Sequence, residues 1–290
     1  LEEIYDILGG YGFAAMDRAA AEMELKPDWT TWLFAIWLFG SEEPITTANF
    51  MRIFPYGLAN HNEERLASAV QHGYLISDQK NGYTPTEFGM KAAHKVWRAA
   101  GDSLAPLKPM PEAQMDKAYD YLARIGEAAL SAPEPPPHYF MTHKRENYKL
   151  FPILYPLERF IILFGELSAY RDDMYVATWG VHRVEGHAWE VLDFLSQSDA
   201  IPFPGLHSKL SRRGVTEEVH AGDVRELARR GWVEEGSGVV QITPKGKQVR
   251  AEVEAETERL FFAPWSCLNE SEVEELASLA SQLRDGLKTT

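Results

Sequence analysis

Apolar residues recur at helical spacing along most of the chain and at strand spacing in only two short places. In "AWEVLDFLSQ", residues 188 to 197, Trp189, Leu192 and Leu195 fall on one stripe and predict an amphipathic helix. A loop with Pro202 and Pro204 leads into "GLHSKLSRRG", a short helix closed by Gly214, since glycine enters the left-handed position past a helix end without steric cost. Thr216 is placed to cap a third helix whose Val219, Val224 and Leu227 face inward and whose stop is Gly231. "WVEE" and "VVQIT" flank "GSG" as two short β segments, and "PKGKQVRAEVEAETERLF" is a long helix opened by proline.

The same order occurs earlier in the chain. "WTTWLFAIWLFG" is apolar on all sides and predicts a buried helix, "TTANFMRIF" a second, "PYG" a turn and "LANHNEERLASAVQHG" a third helix. "YLISDQKNGYT" is a hairpin with Asn81-Gly82 at its tip, and "PTEFGMKAAHKVWRAAG" the exit helix. The spans Gly73 to Gly89 and Gly231 to Gly246 differ by one residue, which a turn absorbs, so repetition of one unit is the simpler account. Helix, helix, helix, hairpin, helix is the order of a winged helix-turn-helix, whose third helix can enter a DNA groove.

Between the two sets, prolines 106, 109 and 111 end the first exit helix, and a new amphipathic helix runs to about Ser131. "PEPPP", 133 to 137, is a stiff extended spacer, and "PLERFIILFGELSAY", opened by Pro156, predicts a buried helix. The expected chain is mainly α (α+β): an N-terminal winged-helix domain over 1–108, a helical connector over 109–180 that docks the two winged units, and a C-terminal winged-helix domain over 181–290. Its final helix shows a capping-box pattern, Ser271 with Glu274, and an apolar face of Leu276, Leu279, Ala280 and Leu283, suited to the exit helix or to another molecule.

The Thr86-Glu87-Phe88-Gly89 and Thr243-Pro244-Lys245-Gly246 stretches resemble the wing-to-helix signature of MarR-type winged-helix regulators. The stretch from "YRDDMYVATW" through "TPKGKQVRAEVEAETERLFFAPW" is also similar to SalK-like actinobacterial proteins. The MarR resemblance implies a transcriptional regulator whose two reading helices sit about one DNA turn, roughly 34 Å, apart. A chain with two winged units could form that pair alone, as a pseudo-dimer, with an effector-sensitive geometry. The candidate DNA contacts are Asn60, His61, Asn62, Arg65 and Lys80 in the first set, and Arg212, Arg213, His220, Arg225, Lys245 and Lys247 in the second.

Charge works against that reading. The chain has 29 Lys plus Arg against 43 Asp plus Glu, a net charge of -14, so any nucleic-acid surface must be a local patch. Glu217, Glu218 and Asp223 make the start of the second reading helix acidic, although acids there also complement the helix dipole. The rival expectation is a winged-helix scaffold that binds a small apolar ligand or a protein partner and leaves DNA alone.

Aromatic residues gather near the first helix and the connector. They predict core packing first, and second a ligand pocket of Trp32, Tyr155, Phe164, Tyr170, Tyr175 and Trp179 with Arg171 on its rim. His182 and His187 lie five apart and do not stack on one helix face, so no metal site is expected near Asp172 and Asp173. No "GxSxG" elbow or "GxxxxGK" loop occurs, so no enzymatic role and no cofactor are expected. One cysteine, Cys267, excludes an internal disulfide and suggests a cytoplasmic setting. The longest apolar runs are too short for a bilayer span, and "LEEIYDILGG" lacks the order of a signal peptide.

Overall fold

The computed structural model describes residues 2–26, 29–39, 44–78, 82–134, 138–198, 200–236 and 238–290. Helix α1 is Glu2–Glu22, α2 Trp29–Phe39, α3 Thr47–Ile53 and α4 Ala59–Gln71; strands β1 (Leu75–Ser77) and β2 (Tyr83–Pro85) precede α5 (Glu87–Leu104). Then come α6 (Glu112–Leu130), α7 (Tyr139–Tyr148) and α8 (Pro156–Gly180). The last third holds α9 (Gly186–Ser196), β3 (Ile201–Pro202), α10 (Phe203–Leu210), α11 (Glu217–Arg229), β4 (Val233–Gly236), β5 (Val239–Ile242), α12 (Pro244–Phe262) and α13 (Glu270–Leu287). The chain is mainly α, with two small sheets among the described residues, as the periodicity predicts. Asn81, Lys80 and residues 135–137 of the "PEPPP" stretch lie outside the described residues.

Two sets of elements share fasteners as well as order. β1 pairs antiparallel with β2, Leu75 opposite Pro85, and Ile45, just before α3, bridges Tyr83 with two backbone hydrogen bonds of 2.8 Å. β4 pairs antiparallel with β5, Val233 opposite Ile242, and Ile201, just before α10, faces Val240 as the third strand. The third helix of each set ends on a left-handed glycine, Gly73 at φ +77° and Gly231 at φ +73°.

The "TxxG" stretches have a physical explanation. Thr86 Oγ1 donates to the Gly73 carbonyl at 2.6 Å and accepts from Gly89 N at 2.9 Å, tying the end of α4 to the start of α5. Thr243 Oγ1 does the same with Gly231 O at 2.7 Å and Gly246 N at 3.1 Å. A side chain on Gly89 would overlap the Tyr74 carbonyl, and one on Gly246 the Trp232 carbonyl. Threonine caps the exit helix, and glycine lets that helix lie directly on the chain entering the hairpin.

The compact units do not follow the sequential boundaries at 108 and 180. One consists of residues 1–45, 68–173 and 260–290, the other of 46–67 and 174–259. The first packs Leu8, Leu104, Leu122, Ile125, Phe160 and Leu163 against Leu276, Leu279 and Leu283 of α13, all nearly or fully buried. Helix α13 therefore lies on α6 and α1 rather than on the exit helix α12. Its capping box is Asn269 with Glu272, two residues before the predicted pair: Asn269 Oδ1 accepts from Glu272 N at 3.0 Å, and Glu272 returns a carboxylate to Asn269 N at 2.9 Å. Starting there keeps Leu276, Leu279, Leu283 and Leu287 on one buried face.

The second unit centres on Trp189, Val191, Leu192, Leu195, Leu206, Leu227 and Val240, at 0% exposure. Trp189 stacks on Trp179 with ring centroids 5.8 Å apart and donates its indole N–H to Tyr175 Oη at 2.8 Å, so its polar atom is satisfied within the core. Truncating such a residue to alanine costs about 3–5 kcal/mol.

Candidate nucleic-acid interface

Short-range chemistry builds the turn between α10 and α11 in the second unit. α10 runs into one turn of 3₁₀ helix, Ser211–Arg213, and Gly214 at φ +73° reverses the chain. Thr216 then caps α11, its Oγ1 accepting from Val219 N at 3.3 Å. Val224 and Leu227 face the core, which leaves Glu218, Gly222, Arg225 and Arg229 along the outer stripe at helical spacing. The stripe is acidic at its start and basic at its end, with no side chain at its centre.

Cations of this unit divide into paired and free. Arg213 binds Glu190 at 2.5 Å and lies over the Tyr56 ring, Arg229 and Arg230 share Glu226, and Arg250 binds Asp193 and Glu254. Lys245 Nζ donates to the Arg230 carbonyl at 2.8 Å, near the end of α11. Lys209, Arg212, Arg225 and Lys247 are exposed and form no ion pair among the described residues. The unit carries 13 Lys plus Arg against 16 Asp plus Glu, so most of the net charge of -14 sits in the other unit.

Two residues expected on the reading surface are inside. His220 is 0% exposed and Asp223 only 6%, which corrects the candidate contact at His220 and removes Asp223 from the acidic face. Asp223 accepts from His187 Nδ1, 2.9 Å from each carboxylate oxygen, joining α9 to α11. Burial opposes a charged His187 ring, and the Asp223 carboxylate outweighs it, holding the imidazole above its ordinary pKa. His220 meets His207 of α10 through their Nδ1 atoms at 2.9 Å, which requires one ring to carry its proton there and the other to leave that nitrogen bare. Burial keeps His220 below its ordinary value, and the neighbouring imidazoles add to this while Asp223 opposes it. The polar set linking three helices was hidden in the sequence because its members are spread over residues 187 to 223 and resemble surface residues one at a time.

The third helix of the first set, α4, starts in this same unit. Asn60 is exposed and Arg65 half-buried, but Asn62 is 6% exposed, donating to Met51 Sδ at 3.1 Å. His61 packs on Gly214, where its ring fills the space a side chain would take. The Arg213 carbonyl would lie 3.2 Å from a methyl on Gly57, and Gly186 leaves room for the Pro55 carbonyl. A symmetric pair of readers presents two free helix starts about 34 Å apart. Here the start of α4 rests on the turn that opens α11, and His61 and Asn62 make packing contacts there.

The aromatic residues expected to pack or to line a pocket make close contacts within each unit. Trp32 stacks on Tyr74 at 4.2 Å, Phe164 and Tyr170 are 5% and 1% exposed, and Arg98 covers the Tyr155 ring. These residues and Arg171 belong to one unit, Tyr175 and Trp179 to the other, where both contact Trp189. Asp173 caps α7 by accepting from Phe140 N and Met141 N, each at 2.9 Å. Among the described residues no helix is long and apolar enough to cross a membrane.

A family model described as a helix-turn-helix family matches residues 166–289. The chain carries a helix-turn-helix domain there, in a span that runs from α8 to α13. No curated protein and no solved structure matches the chain.

Proposed function

We propose that this protein is a DNA-binding regulator of MarR-like kind that engages duplex DNA through one inserted helix, α11. The observation that carries this reading is the outer stripe of α11. Gly222 admits a close approach at its centre, Arg225 follows one turn on, and Lys209, Arg212 and Lys247 supply free charge on the neighbouring elements. The first set of winged-helix elements, with its matching threonine and glycine fasteners, is then a second copy of the same unit whose helix start serves as support. Phosphate contact by about four cations predicts weak, salt-sensitive binding.

Fluorescence anisotropy of the full chain against a mixed-sequence duplex tests this. Neutralising about four phosphates gives a log–log salt slope of about -3.6, or roughly a hundredfold loss of affinity between 50 and 200 mM salt. A folded protein that leaves the duplex unbound at 50 mM salt overturns the proposal and favours a scaffold for a protein partner, which the excess of acid would suit.

A further inference from the structure

Histidine contacts fasten α11 from beneath, and they respond to acid in opposite ways. His187 Nδ1 donates to Asp223, so a further proton on that ring turns the contact between α9 and α11 into an ion pair. His207 on α10 and His220 on α11 meet nitrogen to nitrogen at 2.9 Å, with ring centroids 5.2 Å apart. One extra proton on this pair is accommodated, because the ring that stays neutral offers a bare Nδ1 to the other's N–H. A second is not: both Nδ1 atoms would then be donors facing each other. The far nitrogen gives no relief, since His220 Nε2 is buried with no hydrogen-bond partner among the described residues, and an imidazolium needs acceptors at both nitrogens.

The carboxylates around His220 are committed elsewhere or face water. Asp223 holds His187, Glu190 binds Arg213 at 2.5 Å, and Glu185, at the start of α9, is exposed. Strand β4, which also packs on α11, turns Val233 inward and leaves Glu234 and Glu235 exposed, and Glu217 and Glu218 of α11 itself are exposed. Burial holds His220 below its ordinary value, Asp223 opposes this, and His207 and His187 add to it, so the second proton arrives below 6.5. Its arrival leaves α11 tied to α9 and loosens α10, an eight-residue helix whose buried residues are Leu206 and Leu210. Lys209 lies on that helix and Arg212 on the turn after it, both among the cations assigned above to phosphate.

We propose that the His207–His220 pair is a proton-operated latch, closed near neutral pH and opened by acid, which moves α10 with Lys209 and Arg212 off the DNA-facing side. The latch itself stands on the contact between the rings, and its effect on DNA rests on the reading of α11 as the inserted helix. The sign is its distinguishing mark. Protons added to a DNA-binding protein ordinarily strengthen its hold on phosphate, whereas here acid weakens it.

Hydrogen exchange of the full chain, followed by NMR, reads the latch without DNA. Between pH 7.5 and 5.5, protection of the amides of His207 to Ser211, corrected for intrinsic exchange, should fall about tenfold or more, while Val191 to Leu195 on α9 stay within about twofold. Anisotropy against the mixed-sequence duplex at fixed ionic strength reads its output. Affinity should fall about tenfold or more over the same range, and the log–log salt slope should shrink from about -3.6 to about -1.8 as two phosphate contacts are lost. His207→Gln gives His220 a hydrogen-bonding partner that takes no proton, so it should bind like the parent at pH 7.5 and lose less than about twofold at pH 5.5. His220→Leu repeats the test if that variant does not fold. Unchanged protection in α10, protection lost equally from both helices, binding that strengthens in acid, or an acid response that survives His207→Gln overturns the proposal. A duplex left unbound at both pH values, with α10 protection still falling, removes the DNA reading and leaves the latch standing.

Discussion

The His61 imidazole occupies the space that a side chain on Gly214 would fill. Gly214 is thus required twice, once because φ is +73° and once because His61 covers it. Gly214→Ala should destabilise the protein by about 2 kcal/mol or more, since the left-handed conformation alone costs about 1–2 kcal/mol. Removing the ring should return the steric part: the Gly214→Ala, His61→Ala double variant should be more stable than the sum of the single losses, by about 1 kcal/mol in urea unfolding. Strict additivity would show that the two residues do not touch in solution.

Thr86 and Thr243 make one set of hydrogen bonds in two places, so their loss should read alike. Thr86→Ala and Thr243→Ala should each cost about 1 kcal/mol, typical of an N-cap, and differ by less than about 0.5 kcal/mol. Gly89→Ala and Gly246→Ala should cost more, because a methyl would collide with the rigid carbonyls of Tyr74 and Trp232. Urea midpoints for the four variants check both statements.

The capping half of these fasteners was legible in the sequence because each threonine stands three residues before its glycine, whereas the bond back to Gly73 or Gly231 spans the hairpin. The α9 stripe of Trp189, Leu192 and Leu195 was legible for the same reason. Helix α1 was not, because Gly9, Gly10 and Gly12 weaken its helical signal while tertiary packing through Ile4, Leu8 and Met16 supports it. The partners of His61 and His220 were not legible either, since periodicity marks which residues face inward but not what they meet. Ser271 and Asn269 each stand three residues before a glutamate, so the pattern alone allowed two helix starts; the structure places the cap at Asn269.

If α11 is the inserted helix, its two charged ends should act in opposite senses on duplex binding. Arg225→Ala should weaken it about fivefold or more and reduce the salt slope by about 1, because one phosphate or base contact is lost. Glu218→Gln should strengthen it several-fold at 50 mM salt, because a carboxylate facing phosphate is removed. Asn62→Ala should change binding little, since that side chain is turned toward Met51. Anisotropy titrations at two salt concentrations separate the three variants, and an Arg225→Ala protein that binds like the parent would show that α11 is not the contact.

The histidines beneath α11 should give the domain opposing pH dependences. His187 is held above its ordinary value of 6.5, so the native state keeps its proton where the unfolded chain has begun to lose it. Its contribution is fully present below about 6.5 and disappears as pH rises through the folded-state value. His220 is held below 6.5, so the unfolded chain gains a proton before the native state does, and stability is lost as pH falls from about 6.5. Ring-proton shifts followed by NMR should show His187 titrating above 6.5 and His220 below it. His187→Gln should remove the loss of stability on the alkaline side, and His220→Gln should flatten the acid side. The reverse order of titration would mean that Asp223 is not the partner of His187 in solution, and that α9 and α11 are held together by apolar contacts alone.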